Sequence, residues 1–434
     1  MSAVNGSPAG RGRKKALGLP ELIAMGVGGM IGGGIFSMLG LAVSISGHAA
    51  PLAFLIGSFV AFFAGYSYIR LALTFRSDGA SYIYLRRAFP NQPHVSVISG
   101  WTVAIGYVGT LALYAFTFGA YGADLIGKSG DASMRITMSL GVLLFFLMVN
   151  LRGARTAGHT EDLVVYAKII LLAVFAVAGM HTVRGDYLLP LFDKGFSSVF
   201  MAGALIFVAF EGFQLIANSI SETRDPERNV PRGIYGAIAI TSLIYILLAV
   251  VAIGNLPLQR LVGAEEYALA EAARPVLGEA GVVLVGIAAL LATSSAINAT
   301  VFGAARMMAD MAAEGHMPAI LARRNADNVP WLATSALIAL GAAFTMLGGL
   351  EVIAAFSSMT FLLVSIGVSV ANWRLREKTR AHPAPIITGI GLMLTTVLLL
   401  LIHLGRQQPA TLAAVAAIYA AAGLPAWFYA RKRP

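Results

Sequence analysis

GGMIGGGIF, Gly28 to Phe36, sets five glycines within seven residues in the middle of the first long apolar run of the chain. A second apolar run, opening the other half, carries FVAFEGF, Phe207 to Phe213, with Gly212 as its helix breaker. Inside a bilayer an unpaired peptide group costs several kcal/mol, so backbone that leaves the helical ladder persists only where it faces protein, water or a ligand. Paired interruptions in corresponding positions of two halves therefore point to a binding site near the midplane of a transporter.

The surrounding composition places both stretches in a membrane. Hydrophobic residues make up 58% of the chain and charged residues only 12%, against about 25% charged in a soluble domain. The mean hydropathy is +0.77. Twelve apolar runs of about 20 residues, the length that crosses about 30 Å of hydrocarbon as a helix, lie between residues 20 and 430. They predict an all-α integral membrane protein with 12 transmembrane helices. The chain has no cysteine, which excludes disulfides and thiol ligation.

A net charge of +10 invites a nucleic-acid reading, but the basic residues are distributed by loop side. With the N-terminus inside, 22 of the 31 Lys and Arg fall in inside segments and seven in outside loops, while Arg70 and Lys168 lie within spans. That imbalance sets both termini in the cytoplasm. The partner implied by the charge is the lipid bilayer, and no nucleic acid is expected. The basic head RGRKK could open a signal peptide, yet the run after it is too long and is followed at once by another span, so it reads as the flank of an uncleaved first helix.

The paired breaks also divide the chain. Residues 1–16 form a basic cytoplasmic tail, 17–182 a first repeat of five spans, 196–373 a second repeat of five, and 384–434 the last two spans with a cytoplasmic C-terminus. Five crossings per block force the two blocks into opposite orientation. The expected architecture is a five-plus-five inverted repeat with broken helices 1 and 6.

At the first break, Gly32, Gly33 and Gly34 open the backbone and leave unpaired N–H groups at the start of a second half-helix near Ile35, where the positive end of the helix dipole favours a carboxylate. The competing reading is that the glycines only let helices pack closely. They are not a phosphate loop, since no strand precedes them and no Lys-Ser/Thr pair follows. At the second break, Val208, Ala209, Phe210 and Glu211 precede Gly212. Unwinding there would free carbonyl oxygens that suit an ammonium. Donors from one break and acceptors from the other match the two ends of a zwitterionic α-amino acid. Phe207 and Phe210 either close over such a substrate or serve as packing. Glu211, a carboxyl at mid-membrane depth, has three open roles: partner of a cationic substrate, proton carrier, or buried structural acceptor.

Lys168 lies in the fifth span, YAKIILLAVFAVAGM, where burial makes an ammonium costly. It can load and lose a proton as its surroundings alternate between wet and dry, coupling transport to protons, or it can replace a bound sodium ion; the alternative is snorkelling to the cytoplasmic surface. In the eighth span Thr293, Ser294 and Ser295 supply hydroxyls for an ammonium or a small cation, though such residues commonly bond their own helix. Asp124, Arg70, Glu222, Arg306 and Asp310 lie near span ends and receive no role. The histidines show no metal spacing, and no span offers a cofactor fingerprint or a paired nucleophile and base. No cofactor, no metal and no catalytic residues are expected, and the chain is not read as an enzyme.

The first-span AMGVGGMIGGGIFSMLG, the sixth-span FVAFEGFQLIANSISETRDPERNVPRGI and the loop SDGASYIYLRRAF together resemble the amino acid-polyamine-organocation superfamily of permeases. Its G-x-G-I-F element and E-T-x-D-P-x-x-N-V-P-R loop correspond to Gly32–Phe36 and Glu222–Arg232, and the likeness covers nearly the whole chain. The resemblance implies the LeuT-like fold of five plus five helices with two more, and transport of amino acids or related amines by alternating access. It implies a carboxylate site on Ile31, Gly32, Gly33 and Gly34, and an amine site on carbonyls of Val208, Ala209 and Glu211. The branch it most resembles, the proton-coupled broad-specificity transporters, carries a lysine at the position of Lys168, whose ammonium takes the place of a sodium ion and faces first-span backbone and hydroxyls matching Ser294 and Ser295. The chain departs from relatives in Val208, at a position that often holds a gating aromatic, in Arg70, where many have an acid, and in Glu211, where many are apolar or small. The expected function is secondary amino acid transport in the plasma membrane, as proton symport. An exchanger would use the same pocket. A channel or an amino acid sensor on the same scaffold is the alternative from another class. Substrate side chain, direction and oligomeric state are not legible.

Overall fold

The computed structural model describes residues 17–77, 80–152 and 158–431. The expected basic tail, residues 1–16, lies outside them. Among the described residues the protein is helical throughout, with a lone bridge between Leu17 and Thr223 as its only extended pairing. In chain order the helices are α1 (Leu19–Met30), α2 (Gly34–Ser46), α3 (Ala50–Phe75), α4 (Ala80–Ala88), α5 (Pro93–Leu125), α6 (Ala132–Leu151), α7 (Gly158–Met180), α8 (Phe196–Leu205) and α9 (Gln214–Asn218). They continue with α10 (Pro226–Asn255), α11 (Leu258–Gly263), α12 (Ala268–Ala313), α13 (Trp331–Leu347), α14 (Leu350–Arg374), α15 (Arg376–Thr379), α16 (Pro383–Gln407) and α17 (Pro409–Arg431).

Nine helical stretches among the described residues are long and apolar enough to cross a membrane. Leu19–Met30, Val164–Met180 and Trp331–Leu347 are apolar but shorter. Helix starts follow local chemistry. Proline occupies the first turn of α1, α3, α5, α10 and α16, where its missing N–H is no loss. Asp131 caps α6 by accepting from the N–H groups of Ser133 (3.0 Å) and Met134 (3.2 Å). Those bonds favour the ionised form and hold its carboxyl below the usual range.

Burial separates a centre from a rim. The most apolar windows of Phe196–Asn218 and of α14 are 78% buried, whereas those of α6 and α17 are 17% buried. The central group is α1, α2, α3, α5, α8, α10, α12 and α14, and α6, α16 and α17 offer most of their surface to the surroundings.

Both expected interruptions are present, but they differ in kind. The first is a turn over Ile31–Gly33 between α1 and α2. The second is not uncoiled: Ile206–Phe213 winds as a 3-10 helix between α8 and α9. The eighth apolar run also begins earlier than its hydropathy suggests, because α12 includes a kink at Gly278 (φ 64°) that joins a short preceding helix to the long one. The short loop helices α4, α11 and α15 carry no apolar signal of membrane length, so hydropathy alone does not reveal them.

Candidate functional site

At the first break the ladder of α1 ends when the N–H of Ile31 donates to Val27 O (2.8 Å). That of α2 begins at Gly33, whose carbonyl accepts from Ser37 N (3.1 Å) and Ser37 Oγ (2.7 Å). The N–H groups that open α2 have no partner within the helix. Glycine is required here by crowding: a Cβ on Gly32 would stand 2.7 Å from Ala296 Cβ of α12, and one on Gly33 2.7 Å from the Tyr114 ring of α5. A Cβ on Gly34 would collide with Tyr245 Oη of α10.

The second break lies directly against the first. A Cβ on Gly29 would come within 3.1 Å of Gly212 Cα, and one on Gly212 would collide with Met30 N. Two backbones are in contact there with no side chain between them. Tyr245, wholly buried, clasps the pair: its Oη donates to Met30 O (2.6 Å), with Ala209 O at 3.2 Å. The Ala209 carbonyl, expected to face a substrate ammonium, thus has one lone pair directed at Tyr245. From α14, Ser358 Oγ accepts from Val208 N (3.0 Å) and donates to Leu205 O (2.5 Å). It satisfies two groups that the change from α to 3-10 winding leaves in need of partners.

Phe207 and Phe210 are fully buried. Phe210 packs edge-on to Tyr245 (5.4 Å between centroids), and a Cβ on Gly57 of α3 would touch its ring at 2.8 Å, so it is wedged between α3 and α10. Glu211 is buried and, among the described residues, has no hydrogen-bond or ion-pair partner for its carboxylate. Tyr68, Tyr107 and Tyr114 lie within electrostatic reach of it.

Lys168 of α7 is wholly buried, and its Nζ donates to Gly28 O at 2.7 Å. The head does not snorkel. It lies on the main chain of α1, one turn before the first break, and Val165 fills the space beside Gly28. Thr293 Oγ1 bonds its own helix at Ala289 O (2.7 Å), as membrane-helix hydroxyls commonly do. Ser294 and Ser295 are half-buried on α12, which packs against α7. Separately, a cavity of about 580 Å³ opens beside α2, α5, α6 and the turn between α13 and α14, with Glu265, Glu351 and the Arg135–Glu266 ion pair (2.9 Å) on its wall.

Tyr245, Ser358 and Tyr114 are absent from the sequence-derived set. Their partners are 36 to 215 residues away, beyond any spacing rule. The available signal was weak: a single tyrosine in the apolar run TSLIYILLAV and a serine pair in AAFSSMTF.

A family profile described as "Amino acid permease" matches residues 17–428. The chain is 31% identical over 395 residues to "Uncharacterized protein MJ0609" of Methanocaldococcus jannaschii, covering 90% of each chain. It is 31% identical over 394 residues to "Inner membrane transport protein YbaT" of Escherichia coli, covering 89% of this chain and 90% of that protein. With "Branched-chain amino acid permease BcaP" of Bacillus subtilis it shares 23% identity over 415 residues, 90% of this chain and 88% of that one.

Proposed function

This chain belongs to the amino acid permease family and is a multi-pass membrane transporter, and from that premise we propose that it carries an amino acid by alternating access as a proton-coupled symporter of the plasma membrane. The observation that carries the reading is the apposition of two interrupted helices, Gly29 against Gly212, with a buried lysine bonded to the main chain of the first. A substrate's carboxylate meets the N–H groups around Ile31, Gly32, Gly33 and Gly34, and its ammonium meets carbonyls of Val208, Ala209 and Glu211. Phe207 borders the site. For the ammonium to gain Ala209 O, Tyr245 must keep its proton on Met30 O, the shorter of its two contacts.

Lys168 couples the cycle to protons. Charged, it holds Gly28 O and so the end of α1; neutral, it offers a weaker donor, and Ser294 and Ser295 on α12 complete its surroundings. Twelve crossings follow when α1 and α2 count as one interrupted span, Phe196–Asn218 as another, and α7 and α13 as spans despite their shortness. Five plus five of these form an inverted repeat, with α16 and α17 outside it and both termini cytoplasmic. The branched-chain activity named for one relative makes branched-chain amino acids the first substrates to try.

The test is uptake into proteoliposomes of a panel of amino acids with and without an imposed pH gradient. Saturable uptake that rises with an inward proton gradient is expected. Counterflow with no response to the gradient would make the protein an exchanger, and flux that does not saturate in the millimolar range would make it a channel.

A further inference from the structure

Arg70 stands on α3, five residues before the helix ends at Phe75, or about 7–8 Å along the axis at about 1.5 Å per residue. In a bilayer that α3 spans, that is the depth where the hydrocarbon meets the headgroups, at the end of the bundle that carries the basic loops. The side chain is half-buried, its Nε is buried, and among the described residues the guanidinium has no hydrogen-bond or ion-pair partner. Two other cations on long helices differ. Lys168 holds Gly28 O, and Arg306 donates to Phe302 O and lies over the Phe302 ring. At the same end of α3 and α10, Glu227 in the first turn of α10 is taken by Arg76 at 2.9 Å.

α10 and α16 each pack on α3, and Arg70 lies on the partly exposed face of α3 that forms a groove between them. Phe62, Tyr66 and Arg70 recur at four-residue spacing and share one face of α3, on which Phe59 and Phe62 are 54% and 44% exposed. Tyr235 of α10 stacks on Phe62 (4.5 Å) and lies within electrostatic reach of Arg70 and Tyr66. Tyr66 Oη accepts from the N–H of His382, which closes the groove from α16 and leaves the phenol proton free to donate. Arg232, exposed, is one turn nearer the bundle end on the side of α10 that carries Tyr235.

We propose that this groove between α3, α10 and α16 binds the headgroup of an anionic phospholipid from the inner leaflet, with Arg70 holding the phosphate. An unpaired guanidinium at this depth is costly, and its planar fork matches phosphate oxygens in a two-pronged bond. The hydroxyls of Tyr66 and Tyr235 supply further donors, the exposed aromatic stripe lies along the acyl chains, and Arg232 attracts the negative headgroup surface. Basic pockets between transmembrane helices on the cytoplasmic side recognise headgroups in this way.

The test is native mass spectrometry and thermal unfolding of the full chain in neutral detergent, titrated with phosphatidylglycerol, phosphatidylcholine or inorganic phosphate. Phosphatidylglycerol should bind and raise the melting temperature, with phosphatidylcholine and inorganic phosphate having little effect. Arg70→Gln should weaken phosphatidylglycerol binding by about tenfold or more, Arg70→Lys less, and Arg406→Gln, exposed at the opposite end of the bundle, not at all. Should Arg70→Gln fold poorly, Tyr66→Phe combined with Tyr235→Phe must still weaken binding. Equal binding of the two lipids, equal response to inorganic phosphate, or unchanged binding in the Arg70 and tyrosine variants would each overturn the site. None of these outcomes depends on the transport reading.

Discussion

The two interruptions solve one problem in opposite ways. Around Gly32–Gly34 the chain omits side chains and lets α5, α10 and α12 press on bare backbone. Around Val208–Glu211 it keeps large side chains, stays wound as a 3-10 helix, and borrows hydroxyls from Ser358 and Tyr245 to satisfy what that winding leaves open. The first break is defined by what is missing from its own sequence. The second is defined by what other helices bring to it. The difference teaches that a break in a membrane helix need not be visible as a run of glycine, so long as neighbours meet its polar groups.

The largest effect should come from the point where the two regions touch. Gly212→Ala forces a methyl against Met30 N, a backbone atom that cannot swing aside. Overpacking costs about 1–3 kcal/mol and occasionally more, and this contact belongs at the upper end. Folded yield on size exclusion and uptake should both collapse; a fully stable, active variant would mean the breaks are not in contact. Gly33→Leu separates stability from function, because the obstructing group is the Tyr114 ring, which can move. Uptake should be abolished while membrane insertion is retained, and normal uptake would count heavily against a substrate at the first break.

Lys168→Ala and Lys168→Gln come next. Removing a partner from a buried carbonyl costs about 1–3 kcal/mol, so Gly28 O should destabilise the end of α1, with uptake lowered roughly tenfold and its pH response lost. An unaltered pH profile in both variants would sink the coupling role. Tyr245→Phe sharpens the comparison further, since one hydroxyl serves both breaks. A loss of about 1–1.5 kcal/mol, seen as a lower melting temperature together with a raised KM, is expected, whereas a change in stability alone would assign Tyr245 to scaffolding. Ser358→Ala should be the mildest, about 1 kcal/mol, and should act on the second break only. If it perturbs the first break as strongly, as read by cross-linking or hydrogen exchange at Gly32–Ile35, the two regions are not independently supported.

Much of this was legible without coordinates. The apolar runs placed the helices because hydrocarbon leaves the backbone few alternatives, and the glycine cluster marked the first break because each of its positions is crowded by a neighbour. Lys168 was legible as a cation within a span, but its position left open whether the head is buried or snorkels to the cytoplasmic surface; the structure buries it. That it faces first-span backbone was expected only through the resemblance to permeases, and the choice of Gly28 O belongs to the structure. At the second break, by contrast, Gly212 and the carboxyl of Glu211 marked the place, the carbonyls of Val208, Ala209 and Glu211 were expected to come free by unwinding, and Phe207 and Phe210 read either as a lid or as packing. Nothing in the local sequence distinguishes 3-10 winding from an open coil, since that choice depends on whether a serine 150 residues away reaches Val208 N.

By itself the sequence determined the solvent, the helical class and the place where the chain first breaks, because hydropathy, helix length and the absence of Cβ atoms act locally and need no partner. Only the tertiary structure decided that Gly29 meets Gly212, that Tyr245 holds Met30 O beside Ala209 O, and that Arg70, at the groove between α3, α10 and α16, has no partner among the described residues. Those are outcomes of packing between segments far apart in the chain. The free energy of burying a donor or acceptor is settled by the group that ends up opposite it, and that group belongs to another helix.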